Sequence, residues 1–464
     1  MTKYLVLKRS NSHNNITMRY AVLLLALWLC MPACLHAQNA RADSSNQSFT
    51  LQQCIDYAMI HQPALNQSLI NVSIAKATNA ISLSGWLPQV GASGSLTHYF
   101  QLPTSFEPNT ANPNGPPVEV RNGITNTATP GISATQAIFS PALVYAAKSA
   151  PLYIEQARQV TDSTKINIVT TVSKSFYSLL LTLEQIDVLK ADTIELDRSV
   201  TDAYHQYIGG IVDETDYDEA TITLNNTVVQ LKQAIENITP QYAALKQLMG
   251  YPSEKQFNVS FDTAEMIRNI NLDTTTQLEY QKRIEYKQLT TAKKLQQQLI
   301  SYYQIAFLPT VSGFFNYTQE FENNTFSNLF SASYPYSSAG LSLSLPLFTG
   351  FARLENVRKA KLQERLLDWS EVNLKSEIYT EYATAMANYK SNLYSFHVMQ
   401  KNVALAKKVY FIVELQYKQG IVAYLNVITA QSNLITSQVG YINALFQVLS
   451  NKIDLERAMG EISY

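Results

Sequence analysis

Residues 340–350 read Gly-Leu-Ser-Leu-Ser-Leu-Pro-Leu-Phe-Thr-Gly, and this stretch joins the two patterns that determine the fold. Before Pro346, leucine alternates with serine, and a period of two is typical of a β-strand with one apolar face. From Phe351 the chain continues to Gln419 without a glycine or a proline. The sequence therefore predicts a strand that leads into a very long helix.

The same helical pattern occurs earlier in the chain. From Ser140 to Tyr207 there is no glycine, and proline occurs only at Pro141 and Pro151, where we expect an early helical turn to tolerate it. At a rise of about 1.5 Å per residue, each helix would be on the order of 100 Å long, far more than the width of a compact domain. The predicted fold is all-α dominated, with a small β part.

Apolar residues within these helical stretches step by three and four, as in the seam of a coiled coil. The first seam comprises Val169, Val172, Phe176, Leu179, Leu183 and Ile186, and the second comprises Ile435, Val439, Ile442, Phe446, Leu449 and Ile453. Glycines at Gly209-Gly210 and at Gly420 permit the positive φ with which a helix ends and the chain reverses. Two long helical hairpins are predicted, because an ordinary bundle would not need helices of this length.

The chain repeats itself at a spacing of about 210 residues. Phe139 matches Phe348 at an offset of 209, and Gly210 matches Gly420 at an offset of 210. Leu248-Met249-Gly250 matches Ala458-Met459-Gly460, again at an offset of 210. We predict that residues 38–464 form a single domain made of two tandem structural repeats, about 48–250 and 270–460.

The N-terminal residues resemble a cleaved export signal. Four basic residues, Lys3, Lys8, Arg9 and Arg19, precede an apolar run that ends before Gln38, so residues 1–37 are predicted to be a signal peptide. The run is too short to span a membrane, and no later segment comes closer. Two questions stay open. The start of the chain is either Met1 or Met18, and Cys34 is either lipid-modified or unmodified.

Composition argues against several classes of function. The net charge is −1 and only 15% of the residues are charged, whereas nucleic-acid binding needs a basic field. The sequence has no nucleotide-binding loop and no nucleophile motif. The candidate histidines are scattered along the chain and have no metal-ligand spacing: His36, His61, His98, His205 and His397. We expect neither an enzyme nor a bound cofactor or metal.

The alternating segments predict four strands per chain, two in each repeat. In the clearest strand, Leu341, Leu343, Leu345 and Leu347 share one face, as expected where one side of a strand meets lipid and the other a wet lumen. A half-buried soluble sheet would show the same alternation. Four strands cannot close a barrel, and a membrane tolerates no open sheet edge. Three chains would supply twelve strands and room for a channel.

Five carboxylates follow the first glycine turn within seven residues: Asp213, Glu214, Asp216, Asp218 and Glu219. At a narrow entrance, such crowded negative charge would raise the local concentration of cations. The alternative explanation is that acidic residues favour the first turn of a helix because of its macrodipole.

Several motifs in both halves resemble the TolC-like outer-membrane efflux protein family. They are Leu51-Gln52-Gln53-Cys54-Ile55-Asp56-Tyr57-Ala58 with Gln62-Pro63-Ala64-Leu65, Leu87-Pro88-Gln89-Val90, Pro346-Leu347-Phe348-Thr349-Gly350, and Tyr417-Lys418-Gln419-Gly420 before Ala430-Gln431. The resemblance implies a homotrimer with a 12-stranded barrel in outer-membrane lipid and a helical periplasmic tunnel. It also implies a periplasmic adaptor (membrane fusion) protein and an inner-membrane pump of the resistance-nodulation-division or ABC type.

The chain departs from this family at two places. The opening motif has Gln62 where the family usually has asparagine, and the second tip has Asn426 and Thr429 where the family often has pore-lining aspartates. The expected function is a passive exit duct for tripartite efflux or type I secretion, carrying drugs, metals or polypeptides. The alternative is a non-conducting coiled-coil structural protein in the periplasm or at the cell surface, which would need no lipid-facing strands.

Overall fold

The computed structural model describes residues 48–464, except 111–113, 262, 269, 273, 274 and 276. The predicted signal peptide, Cys34 and the choice between Met1 and Met18 lie outside the described residues. The helices are α1 Leu51–His61, α2 Pro63–Leu83, α3 Pro141–Ile208, α4 Glu214–Met249, α5 Thr263–Arg268, α6 Ile284–Ile305, α7 Ala352–Lys418 and α8 Tyr424–Met459. The strands are β1 Ser48–Phe49, β2 Gln89–Ser93, β3 Leu96–His98, β4 Thr104–Glu107, β5 Val118–Arg121, β6 Asn126–Ala128, β7 Gly131–Phe139, β8 Asn258–Val259, β9 Thr310–Asn323 and β10 Tyr334–Ser344.

The two long helices confirm the sequence prediction to within two residues at each end. Helix α3 has 68 residues and α7 has 67, and each is followed by a glycine turn and a return helix of 36 residues. The expectation that Pro151 lies in an early helical turn is wrong. Pro151 lies in the interior of α3, ten residues after Pro141. Helix α3 continues through it because neighbouring helices pack along its length.

The long helices lie side by side with the shorter ones and form a wall. Helices α2 and α4 pack along α3, which also contacts α6 and α8, and these two in turn pack against α7. The wall therefore has four helical columns, and α7 forms one outer column while α2 and α4 form the other. The expectation that no segment after the signal comes closer to a membrane span is wrong for α3. This helix is long and apolar enough to cross a membrane by length and composition, and half of its most apolar stretch is buried.

Both predicted seams lie in the interior of the wall. In the first, Leu183 is half-buried and the other five residues are buried; in the second, Val439 and Phe446 are half-buried and the other four are buried. The first seam continues into a large core where α1 and the parallel pair of β1 and β8 cover α3 and α4. A second core lies between α7 and α8, around Tyr389 and Phe396.

Four antiparallel strands form the main sheet, as the sequence predicts. Their order is β2, β7, β9 and β10, and β3 and β6 continue β2 and β7 beyond short breaks. A separate hairpin of β4 and β5 lies in the connection between β3 and β6. Strand β7 leads directly into α3, and β10 precedes α7, so the sheet lies at the end of the wall opposite to the glycine turns.

Strand β10 is shorter than expected. It ends at Ser344, so Leu345 and Leu347 lie beyond the strand and not within it. Pro346 explains the difference, because proline has no backbone N–H to donate to a strand ladder.

Candidate functional site

The two glycine turns, residues 209–213 and 419–423, have the same backbone geometry and are called the tip turns here. Gly210 has a φ of +66° and Gly420 a φ of +69°. The N–H of Ile211 donates to Gln206 O at 2.9 Å, and the N–H of Ile421 donates to Gln416 O at 2.9 Å. Both glycines adopt the left-handed conformation that ends a helix through such a six-to-one hydrogen bond.

The two tip turns differ in charge. At the first turn Asp213 is the N-cap residue of α4, and Glu214 and Asp216 lie in the first helical turn. Burial, followed by the nearby charge of Asp213, raises the pKa of Asp216 above its usual range. The five acidic residues are exposed at 213, 214 and 218 and half-buried at 216 and 219.

The second tip turn is neutral at the equivalent places. Asn426 and Thr429 occupy the positions that are 210 residues after Asp216 and Glu219, and both are exposed. The hydroxyl group of Thr429 donates to Leu425 O at 2.8 Å within its own helix. The structure therefore brings all the predicted tip residues to one end of the wall, with the negative charge on one hairpin only.

Tyrosines join the two hairpins just above the tip turns. The hydroxyl group of Tyr424 donates to Ser199 O at 3.0 Å, and that of Tyr410 donates to Glu195 Oε1 at 3.3 Å. Tyr417 donates to Gln206 Oε1 in the same region. Burial is the main cause that raises the pKa of Tyr424 to about 12. Sequence reasoning missed this cluster, although Tyr417 recurs 210 residues after Tyr207.

The main sheet has one apolar and one largely polar face. Leu341 and Leu343 of β10 are 73% and 66% exposed, and they lie opposite Gly313 and Val311 of β9. The register places the other strands' apolar residues on this same face: Phe315, Tyr317, Ile132, Ala134, Val90 and Ala92. The alternation that was weak in the first repeat of the sequence thus completes one continuous apolar surface.

The opposite face of the sheet carries mostly small polar side chains. Ser342 and Ser338 of β10 face Ser312 and Asn316 of β9, and Ser133 of β7 lies beside Asn316. Leu345 and Leu347 continue past the strand end and stay 44% and 90% exposed. Within the described residues no group of three or more His, Cys, Asp or Glu side chains could hold a metal ion.

Comparison with solved structures shows the same fold in outer-membrane channels. The outer membrane protein VceC from Vibrio cholerae has a TM-score of 0.70 at 16% identity, over 88% of this chain and 96% of that chain. CusC has a TM-score of 0.73 at 17% identity, over 88% and 91%. The CmeC outer membrane channel from Campylobacter jejuni has a TM-score of 0.69 at 17% identity, over 89% and 85%. A search of curated proteins found no significant match.

The sequence matches the family described as Outer membrane efflux protein over residues 54–251 and again over residues 274–461. These two segments cover most of the chain. The outer-membrane location and the efflux function that we expect from the sequence are thereby confirmed. This is a family of channels and not of enzymes. The chain belongs to the outer membrane efflux protein family.

Proposed function

We propose that three copies of the chain assemble into one exit duct, with twelve strands in the outer membrane and a helical tunnel in the periplasm. The main sheet carries this proposal. Among the described strands, β2 pairs only with β7, and β10 pairs only with β9, so both outer strands have a free edge. A membrane tolerates no open sheet edge, and four strands are too few to close a barrel.

The outer columns of the helical wall support the same assembly. Helix α7 exposes a row of large apolar side chains, including Leu362, Leu366, Trp369 and Val372, and Trp369 is 75% exposed. Helix α4, at the other side of the wall, exposes Ile222, Val228 and Val229. A neighbouring copy on each side would bury these two surfaces, and large exposed apolar patches mark such interfaces.

The faces of the sheet suggest how it would sit in such a barrel. Leu341 and Leu343 would face outer-membrane lipid, and Leu345 and Leu347 would lie at the rim where the chain leaves the barrel. The serines and threonines of the opposite face would line the lumen, as in other outer-membrane barrels.

At the other end, the tip turns would form the entrance to the duct. Three copies of the acidic segment 213–219 would surround it, and we propose that they concentrate cations there. Gly210 and Gly420 would let each hairpin reverse, while Asn426 and Thr429 would face the entrance as neutral groups.

A passive duct needs energy from its partners. We propose that a periplasmic adaptor protein and an inner-membrane pump, of the resistance-nodulation-division or ABC type, deliver the substrate to the tips. CmeC, which shares the fold, is an outer-membrane channel, and this supports the arrangement. The assignment of residues 38–464 to one domain of two repeats remains part of the proposal.

Cysteine cross-linking at the free strand edges tests the assembly. Gly91 of β2 and Ser338 or Ser342 of β10 are changed to cysteine in pairs, and the protein is oxidised in outer-membrane fragments. At least one pair should give covalent dimers and trimers. The control pair is Ser133→Cys with Asn316→Cys, which are register partners on β7 and β9 and should cross-link only within one chain. Exclusively monomeric products from every edge pair, with the control cross-linked, would contradict the closed trimer.

A further inference from the structure

The contact between α3 and α8 contains a polar layer above the tip turns. Two hydrogen bonds join these helices on either side of it. Gln185 Nε2 donates to Asn443 Oδ1 at 3.2 Å, and Tyr424 Oη donates to Ser199 O at 3.0 Å. Asp192 lies midway between Gln185 and Ser199. Because the two helices run antiparallel, it is placed opposite the middle of residues 424–443 of α8.

Two glutamines of α8 flank that point. Gln431 and Gln438 are seven residues apart and therefore lie on the same face of the helix, with Ile435 between them. Ile435 packs in the buried cluster that contains Leu189 and Leu196, which lie on either side of Asp192 in α3. Asp192 on α3 and the two glutamines on α8 thus interrupt an apolar contact at about the same position along the helix axes.

Three oxygen atoms of this layer are buried without a hydrogen-bond partner. They are Asp192 Oδ2, Gln431 Oε1 and Gln438 Oε1, and the Gln431 side chain is 4% exposed. All three atoms are acceptors while the carboxyl group of Asp192 is ionised, so no hydrogen bond can form among them. A protonated carboxyl group would supply the missing O–H donor.

The surrounding charges do not compensate for the burial of this carboxyl group. Helix α8 has no charged side chain between Tyr424 and Tyr441. Helix α7 contributes Lys407, whose charge lowers the pKa of Asp192 by less than burial raises it, so that the pKa is about 6. Desolvation of the charged form is therefore the dominant effect.

Two ion pairs lie on the helices around Asp192. On α4, which contributes Ala234 to the same cluster, Lys232 pairs with Glu236 at 2.5 Å. On α3, Glu195 pairs with Arg198 at 3.8 Å and accepts the hydrogen bond from Tyr410 of α7. Asp192 is the carboxyl group of this layer whose pKa burial raises.

We propose that Asp192 is a proton-sensitive switch: when protonated, it donates a hydrogen bond to a glutamine of α8 and draws the two hairpins together above the tips. When ionised, it has no proton to donate, so the glutamine oxygen keeps no donor from α3 and the contact loosens. Acidification thus holds the tips together, and neutral pH releases them.

The direction of the pH effect follows from the raised pKa. An aspartate has a pKa of about 3.9 in an unfolded chain, so the folded protein binds more protons than the unfolded protein between about pH 4 and pH 6. The stabilisation by the protonated form is therefore present at low pH and is lost as the pH rises through about 6.

Thermal unfolding of the assembled full-length protein between pH 5 and pH 8 tests the switch. The midpoint temperature of the wild type should fall as the pH rises to about 6 and then level off; this fall is called the step. Asp192→Asn should remove the step and raise the unfolding temperature at pH 8, because the amide has the shape of the protonated acid and also donates. Asp197→Asn, an exposed aspartate on the same helix, should keep the step.

Two results would overturn the proposal. One is a step near pH 6 that persists unchanged in Asp192→Asn. The other is failure of Asp192→Asn to assemble, because an amide should fit wherever the protonated acid fits.

The effect on transport rests on the proposed channel function and has its own readout. In planar bilayers, the open probability of the wild type should be several-fold lower at pH 5.5 than at pH 7.5. The open probability of Asp192→Asn should be low at both pH values. A pH response that Asp192→Asn retains in full would assign it to other carboxyl groups and contradict the switch. Complete lack of conductance, with the thermal step present, would contradict the channel and leave the switch supported.

Discussion

The hydroxyl group of Tyr424 in the second hairpin donates a hydrogen bond to the backbone oxygen of Ser199 in the first, at 3.0 Å. The two residues are 225 positions apart in the sequence, and their bond joins α8 to α3 close to the tip turns. Around it, Ala203, Ala220 and Val427 pack into a small buried cluster. The two hairpins of one chain are therefore in contact at the tip, and under the proposed function, opening of the entrance would break or move this contact.

Loss of the Tyr424 hydroxyl group should loosen the tip. Tyr424→Phe keeps the ring in the cluster but removes the hydroxyl donor to Ser199 O, at a cost of about 1 kcal/mol. We expect a higher open probability in single-channel recordings and faster proteolysis at the tip turns. Tyr394→Phe, at a tyrosine that is 73% exposed on α7, is the control and should change neither. Equal behaviour of the two variants would mean that Tyr424 does not hold the tip closed.

A charge on the apolar face of β10 should prevent assembly in the membrane. Leu343→Arg places a guanidinium group against lipid and should cost about 2 to 4 kcal/mol near the bilayer midplane. The yield of trimers extracted from the outer membrane should fall accordingly. Ser342→Arg is the matched control, since Ser342 is the preceding residue and points to the opposite face. If both variants matured equally well into trimers, the apolar face would not be the one that meets lipid.

The acidic segment should determine cation selectivity. Changing Asp213, Glu214, Asp216, Asp218 and Glu219 together to their amides removes the negative charge but keeps the shape of the side chains. We expect the reversal potential under a salt gradient to move towards the non-selective value, and more so at low ionic strength, because salt screens exposed charge. Asp187→Asn with Asp197→Asn, on an exposed face of α3, should leave selectivity unchanged. Unchanged selectivity in the five-residue variant would restrict these carboxylates to helix capping.

Two glycines with the same backbone conformation should respond differently to alanine. Gly250 and Gly210 have φ values of +69° and +66°. A Cβ atom at Gly250 would lie 2.6 Å from His61 O, whereas nothing lies within 4 Å of a Cβ atom at Gly210. Gly210→Ala should lose about 1 kcal/mol because of the left-handed conformation alone.

Gly250→Ala should lose clearly more, because the backbone of α1 would also have to move. Urea unfolding of the two variants measures the difference. A loss at Gly250 no larger than that at Gly210 would show that α1 yields easily at this contact.

The sequence predicts the elements of this fold better than their contacts. Long stretches without glycine locate α3 and α7 to within two residues, and alternation locates the strands of the main sheet, because both signals are local. The end of β10 at Ser344 differs from the prediction because a proline breaks a ladder even where the alternation continues. Pro151 shows the converse, because packing keeps a helix continuous through a residue that local rules disfavour.

The contacts of the tip required the structure. Whether Tyr424 meets Ser199, or Asp192 lies opposite the glutamines of α8, depends on the relative rotation of helices that are far apart in sequence. A seam pattern shows which residues are buried, but it does not show which partners they meet. The tyrosines and glutamines of α8 are apparent in the sequence only as polar interruptions of an apolar repeat.

The most direct test of the central claim is to measure the mass and the conductance of the same purified sample. The chain is exported behind a standard signal, extracted from the outer membrane, weighed by native mass spectrometry and recorded in a planar bilayer. The account predicts a trimeric mass and cation-selective openings of low conductance. A monomer or dimer that conducts no ions would contradict it.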